Sequence, residues 1–283
     1  MEITKRINRF VVFIGQVAGM YRILLTNDDG IDSPGLWAAA VALAGLGQVY
    51  VVAPREQSSG AGRSLPAASD GRIEPRTVAV NGEAWTVYAI GGTPAQAVLH
   101  GMLEIMPQPP HLVVAGINYG ENVGTSITSS GTIGAALEAA ASGIAALAVS
   151  LETAQENHRT HSRTVDFTTA AHFTALFARW LLANRLPAGV DLLKVDVPAS
   201  ATPQTAWRIT RLSRQRYYEP LPPRRTSWAE AAPLDYCTRP NLDCEPDSDV
   251  YVLRVERLVA VTPLSLDFTA RVSLEELEHL LRA

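Results

Sequence analysis

Short apolar runs alternate with alanine- and leucine-rich stretches along the first two thirds of the chain. The runs are apolar at consecutive positions, as in strands buried on both faces, and cover residues 23–25, 49–53, 87–90, 112–115, 145–150 and 192–197. The stretches between them predict helices at residues 36–46, 94–102, 131–142 and 166–182. This alternation predicts an α/β fold, in which helices cover both faces of an open parallel sheet.

Capping residues predict where several helices begin. Ser33, or Asp32 before it, is a candidate N-cap for a helix whose first turn holds Pro34. Thr93 is a candidate N-cap in the same way, directly before Pro94. Near the end of the chain, Ser273 and Glu276 form the S-x-x-E capping-box pattern. This pattern predicts a final helix.

Residues 201–249 differ from the rest of the chain. They carry many prolines, arginines and aromatic residues with little periodicity, and the segment is too long for a plain loop. We expect strands or an oligomer contact there, followed by strands at residues 250–255 and 258–262. Its arginines leave two interpretations open, a solvated or subunit-contacting arm and an anion-binding patch; they are Arg211, Arg214, Arg216, Arg224 and Arg225.

The composition is that of a folded globular protein. Of the 283 residues, 47% are hydrophobic and 18% are charged, which argues against extensive disorder. A net charge of -4 and a pI of 5.9 disfavour general binding to nucleic acid duplexes. Two cysteines, Cys237 and Cys244, are too few for a disulfide scaffold and favour a cytoplasmic protein. No apolar run reaches the roughly 18 residues of a membrane helix, so no membrane partner is expected.

The first 19 residues allow two interpretations. Basic residues before the short apolar run at 10–14 weakly resemble a secretory signal. That run is interrupted early, however, and Met20 directly precedes the first predicted strand. We therefore interpret residues 1–19 as an extension from an upstream start, and we expect the domain to cover residues 20–283.

Polar clusters follow the predicted strands, at the sheet edge where open parallel sheets bind ligands. Asn-Asp-Asp-Gly at 27–30 follows the first strand, and its two carboxylates suit Mg²⁺ or Mn²⁺, which prefer oxygen ligands. An ordinary Asx turn explains this motif equally well. Ser59, in a Ser-Ser-Gly turn, and Asn118, in a glycine-rich stretch, add a hydroxyl and an amide oxygen.

Another polar cluster lies at the start of the helix predicted at residues 131–142. Ser130 and Thr132 flank Gly131 at its N-terminus, where free N–H groups and the helix dipole attract phosphate. A plain N-cap explains the same residues. Together the clusters place carboxylates, an amide oxygen, hydroxyls and a phosphate cradle at one sheet edge. This set favours metal-assisted hydrolysis of a phosphomonoester.

The same motifs resemble the SurE (survival protein E) family, in consistent order from about Met20 to the C-terminus. They lie at residues 26–30, 34–35, 51–54, 59–60, 92–94, 116–118, 130–132 and 261–264. The resemblance implies a Rossmann-like core at about 20–200, a β-containing oligomerisation arm at about 201–249, and C-terminal strands and a helix at 250–283. It also implies a metal-dependent phosphatase of nucleoside 5′- and 3′-monophosphates, often active on short polyphosphate, that forms a homodimer or homotetramer.

The resemblance assigns roles to individual residues. The ligands of one divalent cation per subunit, Mg²⁺ or Mn²⁺, match Asp28, Asp29, Ser59 and Asn118. Positions that bind or face the phosphate match Asn122, Ser130, Gly131 and Thr132. The expected catalytic residues are Asp28, Asp29, Asn122 and Ser130. Asp267 matches a late aspartate, for which a structural role is as well supported as a role in the site.

Some features depart from the family, and other functions remain to be weighed. The turn at 55–59 lacks the acidic start that is more common in the family, and residues 201–249 match poorly, which leaves substrate choice open.

A nucleotide-binding regulatory protein without turnover is the main alternative function. Adjacent aspartates do not match the D-x-D spacing of phosphatases with a carboxylate nucleophile, and no G-x-S-x-G supports a serine hydrolase. His158 and His161 are expected on a polar surface loop.

Overall fold

The computed structural model describes residues 21–239 and 242–283. Residues 1–19, interpreted above as an extension, lie outside the described residues. Within the described residues, every helix is too short or too polar to cross a membrane.

The first part of the structure alternates strands and helices, as the apolar pattern predicts. Its strands are β1 (Arg22–Thr26), β2 (Gln48–Pro54), β3 (Ile73–Val80), β4 (Glu83–Ile90), β5 (Leu112–Tyr119), β6 (Ala146–Leu151) and β7 (Leu192–Val197). Its helices are α1 (Pro34–Ala44), α2 (Pro94–His100), α3 (Gly131–Ala141) and α4 (Thr168–Ala183). Thr93 caps α2 as predicted, because its hydroxyl accepts a hydrogen bond from Gln96 N and its own N–H donates one to Gln96 Oε1.

The rest of the chain adds short elements. They are β8 (Trp207–Ile209), β9 (Tyr218–Leu221), β10 (Asp235–Thr238), α5 (Asp249–Arg254), β11 (Val259–Leu264) and α6 (Leu274–Arg282). β8 and β11 extend the main sheet, whereas β9 and β10 form a separate antiparallel pair. The prediction of strands within residues 201–249 is therefore confirmed, and Ser273 begins the final helix as expected.

The main sheet has nine strands in the order β3-β4-β2-β1-β5-β6-β7-β11-β8. The six central strands, β4, β2, β1, β5, β6 and β7, run parallel to one another. At the two sides of this group, β3 pairs antiparallel with β4 and β11 pairs antiparallel with β7. Helices α1 and α4 pack on one face, where Leu36 and Phe173 join Leu25. Helices α2 and α3 pack on the other face, where Val98 and Ile133 join Leu24. The predicted α/β fold with helices on both faces is confirmed.

The antiparallel strand β3 was missed by the sequence prediction, which placed only residues 87–90 in a strand here. β3 and β4 form a hairpin whose turn residues Asn81 and Gly82 have φ values of 51° and 83°. Two positive φ values are typical of the type I′ turn, for which Asn-Gly is the preferred sequence. The dipeptide was therefore a usable signal.

The predicted strand at 250–255 is wrong, because these residues form helix α5. Alternating β-branched residues favour a strand. Here Ser248 accepts a hydrogen bond from Tyr251 N and starts a helix instead. The helix buries Val250, Val252 and Leu253 and places Asp249 beside a buried lysine described below.

Candidate active site

The ends of β1 and β5 bring the predicted site residues into one cavity. The two strands are neighbours, with Thr26 opposite Ala115, so the residues that follow each strand meet at the same sheet edge. A cavity of about 980 Å³ opens there. Five predicted site residues line it, namely Asp28, Ser59, Asn118, Asn122 and Ser130.

Asp28 is buried against the start of α3. Its Oδ1 accepts a hydrogen bond from Thr132 Oγ1, and its carbonyl oxygen accepts one from Ser58 N at 2.7 Å. A Cβ at position 131 would lie 2.7 Å from Asp28 Cβ, so only Gly131 permits this approach. Burial raises the pKa of Asp28 above its usual range, although backbone and Thr132 hydrogen bonds oppose the rise.

Asp29 is also buried and is held by two hydrogen bonds. Its Oδ2 accepts a hydrogen bond from Tyr119 N and its Oδ1 accepts one from Gln57 Nε2, both at 3.1 Å. Burial, and then the charge of Asp28, raise the pKa of Asp29 well above its usual range. Asp29 is not among the described residues that line the cavity.

The two carboxylates fit a divalent cation. Within residues 21–239 and 242–283, neither Asp28 nor Asp29 forms an ion pair with a lysine, arginine or histidine. Two buried negative charges without a counter-charge are costly. Asn118 donates its Nδ2 to the carbonyls of Tyr119 and Gly120, which leaves its Oδ1 for a ligand. A hard cation with oxygen ligands would offset the buried charge.

The residues predicted to bind or face the phosphate divide between the cavity and the protein interior. Ser130 caps α3, where its Oγ accepts a hydrogen bond from Ile133 N at 3.2 Å, and it lines the cavity. Asn122 donates its Nδ2 to Ser150 Oγ at 2.8 Å. Thr132 is fully buried and donates to Asp28, so its side chain supports the carboxylate rather than facing the cavity. Gly131 supplies backbone at the helix start.

A buried ionic cluster holds the loop that carries Asn122. Lys194 Nζ pairs with Asp196 and, at 3.1 Å, with Asp249, and all three side chains are fully buried. Asp196 Oδ1 accepts a hydrogen bond from Asn122 N at 2.7 Å, and Asp249 Oδ2 accepts one from Gly124 N at 3.1 Å. The cluster therefore fixes the backbone beside the cavity. Asp249 lies 55 residues from Lys194 in sequence, so no local pattern could have predicted the cluster.

One wall of the cavity is aromatic. Tyr218 and Tyr236 pack edge to face with ring centroids 5.3 Å apart, and His158 stacks on Tyr236. The prediction of His158 as a surface residue is wrong, because the ring is buried and burial lowers its pKa. His161 is exposed as predicted, although its Nε2 donates to the carbonyl oxygen of Asp29.

Asp267 does not join the cavity. It is exposed in a turn after β11, where its Oδ1 accepts a hydrogen bond from Thr269 N at 2.8 Å. Hydrogen bonding from the side chain and then from the backbone of Thr269 lowers the pKa of Asp267. The contacts support the structural interpretation of this aspartate.

Comparison with known proteins identifies the family of the chain. A family model described as "Survival protein SurE" matches residues 23–219. The chain belongs to the SurE family. The 5′-nucleotidase SurE of Thermococcus kodakarensis is 42% identical over 93% of this chain and 99% of its own, and that of Thermococcus gammatolerans is 44% identical over 92% and 96%. The crystal structure of the SurE protein from Aquifex aeolicus superposes with a TM-score of 0.72 at 28% identity, covering 92% of this chain and 99% of that chain.

The close approach of Gly131 to Asp28 predicts a large effect of one added methyl group. In Gly131→Ala, the new Cβ would lie 2.9 Å from Asp28 Oδ2 and push the carboxylate out of place. We expect cation affinity or turnover to fall about 10- to 100-fold, as when a support of a metal ligand is lost. Gly45→Ala is the matched control, because a Cβ at position 45 has open space around it. Equal phosphate release by both variants would contradict the proposed geometry.

We expect the free energy of unfolding to depend on pH through Glu121, which precedes the predicted phosphate-binding residue Asn122 in sequence. Burial raises the pKa of Glu121 to about 7, although Tyr217 donates a hydrogen bond to its Oε1. A raised pKa means that the folded state prefers protonated Glu121. The contribution of Glu121 to the free energy of unfolding is therefore fully present below about pH 4 and is lost as the pH rises through about 7.

Glu121→Gln imitates the protonated form at every pH. We expect it to exceed the wild type in free energy of unfolding by about 1–3 kcal/mol at pH 8, with the gap closing towards pH 4.5. Urea unfolding at the two pH values measures this gap, with the exposed Glu83→Gln as control. A gap that does not change with pH would contradict the assignment.

Proposed function

We propose that this protein is a divalent-metal-dependent 5′-nucleotidase, which hydrolyses nucleoside 5′-monophosphates to nucleoside and phosphate. The observation that carries the proposal is the buried Asp28–Asp29 pair, uncompensated within the described residues, at a cavity that also holds the start of α3. The names of its relatives, 5′-nucleotidase SurE, support the same activity.

Four residues are proposed to hold one Mg²⁺ or Mn²⁺, namely Asp28, Asp29, Ser59 and Asn118. All their donor atoms are oxygens, which matches the preference of both ions. When bound, the cation would supply Lewis-acid chemistry to a phosphoryl group. The two ions have similar ligand preferences, and metal availability decides between them in many proteins.

The chain's own residues would then act on the phosphate. The free N–H groups and dipole at the start of α3 favour the negative charge of the phosphoryl oxygens. Ser130 and Asn122 line the cavity beside this helix and are proposed to bind those oxygens. The Asp28 carboxylate, which also lines the cavity, would orient the attacking water and accept its proton.

The nucleoside is proposed to bind at the aromatic wall. Tyr218, Tyr236, Pro220 and Leu234 line the same cavity as Asp28 and give it an apolar surface. A volume of about 980 Å³ is at the upper end of the range for small-molecule sites, which suits a nucleotide. Aromatic rings favour a planar base by stacking.

The finer properties implied by the family remain part of the proposal. They are hydrolysis of 3′-monophosphates, action on short polyphosphate, and assembly into a homodimer or homotetramer. Helix α6 supports the assembly, because its leucines Leu274, Leu277, Leu280 and Leu281 are 42–79% exposed. The division into a core, an oligomerisation arm at 201–249 and a C-terminal part at 250–283 is proposed on the same basis.

Phosphate release by metal-depleted protein tests the function. Mg²⁺ or Mn²⁺ is added back with AMP, GMP, CMP, UMP, 3′-AMP, a short polyphosphate or p-nitrophenyl phosphate as substrate. We expect release only with added metal and fastest with 5′-monophosphates. Nucleotide binding without release under any metal would instead favour a regulatory protein without turnover.

A further inference from the structure

The segment at 213–217 presents its side chains alternately to the protein interior and to the cavity. Ser213 and Tyr217 are buried, with 2% and 0% exposure. Arg214 and Arg216 lie between these two residues in sequence. Both are exposed, and both line the cavity that Asp28 and Ser130 also line. The alternation therefore places both arginines on the wall of the same cavity.

The backbone of this segment is fixed by contacts on both sides of each arginine. Asp249 Oδ1 accepts a hydrogen bond from Ser213 N at 2.9 Å. The carbonyl oxygen of Gln215 accepts bonds from Thr125 N and Thr125 Oγ1, at 3.1 and 3.2 Å. Tyr217 donates its hydroxyl to Glu121. The arginines are thus carried on an ordered support rather than on a free loop.

Neither arginine has a carboxylate partner among residues 21–239 and 242–283. The other arginines nearby are paired, since Arg211 bonds Asp247 at 2.7 Å and Arg159, also on the cavity wall, lies 3.6 Å from Asp235. Two like charges two residues apart repel each other, and a cleft lined with one sign of charge concentrates counter-ions. The cavity therefore offers two unpaired cations to an anion.

The arginines are separated from the phosphate end at Ser130. Gln215 is bonded to Thr125, and a short 3₁₀-helix (Gly124–Ser129) leads from there to Ser130. At roughly 2 Å per residue, about 10 Å of this helix separates Thr125, which bonds the arginine segment, from the cap of α3 at Ser130. An anion bound by the arginines would lie to the side of a phosphate held at α3.

We propose that Arg214 and Arg216 form a second anion subsite, which binds a phosphate group of the substrate other than the one that is cleaved. The substrate class is a nucleoside with phosphates on both the 3′ and the 5′ oxygen, since the ribose holds such groups apart within one molecule. The proposal rests on the proposed function, because it places the cleaved phosphate at α3 and the base on the aromatic wall.

The test compares kcat/KM for adenosine 3′,5′-bisphosphate, 5′-AMP and tripolyphosphate, with the double variant Arg214→Ala/Arg216→Ala beside the wild type. We expect the wild type to prefer the bisphosphate over 5′-AMP about tenfold, mainly through a lower KM, and the double variant to lose this preference. Arg211→Ala, whose guanidinium is paired with Asp247, is the matched control and should keep it.

Three outcomes would overturn the proposal. An unchanged preference in the double variant would show that the arginines bind no second phosphate. An equal loss on 5′-AMP and the bisphosphate would assign them to the cleaved phosphate. A loss confined to tripolyphosphate would assign the subsite to a linear phosphate chain rather than to a nucleoside.

A failure of the proposed function would be distinguishable from these outcomes. It would appear as no release from 5′-AMP by the wild type with Mg²⁺ or Mn²⁺. Calorimetric binding of adenosine 3′,5′-bisphosphate and of 5′-AMP would then test the subsite without turnover. Tighter binding of the bisphosphate, lost in the double variant but kept in Arg211→Ala, supports the subsite, and equal binding of both nucleotides contradicts it.

Discussion

Asp28→Asn should reduce phosphate release from 5′-AMP by about 10³-fold or more, at saturating Mg²⁺ or Mn²⁺. The Asp28 carboxylate is proposed both to bind the cation and to orient the attacking water, so its loss removes several kcal/mol of transition-state stabilisation. Asparagine keeps the size of the side chain and an oxygen that can accept the hydrogen bond from Thr132. Steady-state kinetics of the metal-loaded variant measure the effect.

A loss of activity through unfolding can be separated from this effect. Burial raises the pKa of Asp28, so its charged form disfavours the metal-free fold, and the neutral variant should melt no lower than the wild type without metal. Asp32→Asn is the control, because Asp32 is exposed and lies 3.6 Å from Arg76 outside the cavity. A fully active, metal-responsive Asp28→Asn protein would contradict the assigned role.

Lys194→Met should lower the free energy of unfolding by about 3–5 kcal/mol. Lys194 is the shared partner of Asp196 and Asp249, and removing one member of a buried ion pair leaves uncompensated charge in the interior. Asn122 and Gly124 also depend on these carboxylates for their backbone hydrogen bonds. Urea unfolding at pH 7 measures the loss of stability.

A compensating variant distinguishes buried charge from lost packing. Lys194→Met combined with Asp196→Asn and Asp249→Asn removes all three charges and should recover much of the lost stability. If the triple variant is no more stable than Lys194→Met, the loss arises from packing or hydrogen bonds rather than from unpaired charge. If Lys194→Met itself is as stable as the wild type, the cluster does not hold the loop as described.

The sequence predicted the central part of the fold because its strands are buried on both faces. Each of the six predicted core strands lies wholly or largely within an observed strand, and continuous apolar runs such as 112–115 are difficult to place elsewhere. The predictions failed where tertiary contacts outweigh local preference. Residues 250–255 read as a strand, yet the cap at Ser248 and the burial of Asp249 against Lys194 favour a helix.

The candidate site was predictable to the extent that short motifs mark the ends of strands. Asp28 follows β1, Asn118 lies near the carboxyl end of β5 and Ser130 starts α3, so their meeting at one edge follows from a parallel sheet. Their supports could not be predicted, because Gln57 reaches Asp29 and Lys194 reaches Asp249 across the fold. Contacts between residues so distant in sequence cannot be predicted from a local pattern.

Calorimetric titration of Mn²⁺ into metal-depleted protein tests the central claim most directly, with phosphate release from 5′-AMP followed at the same metal concentrations. The account predicts one Mn²⁺ per chain, activity that rises in proportion to occupancy, and binding at least 100-fold weaker in Asp28→Asn than in Asp32→Asn. Equal Mn²⁺ binding by the two variants, or full activity of the wild type without a bound cation, would contradict it.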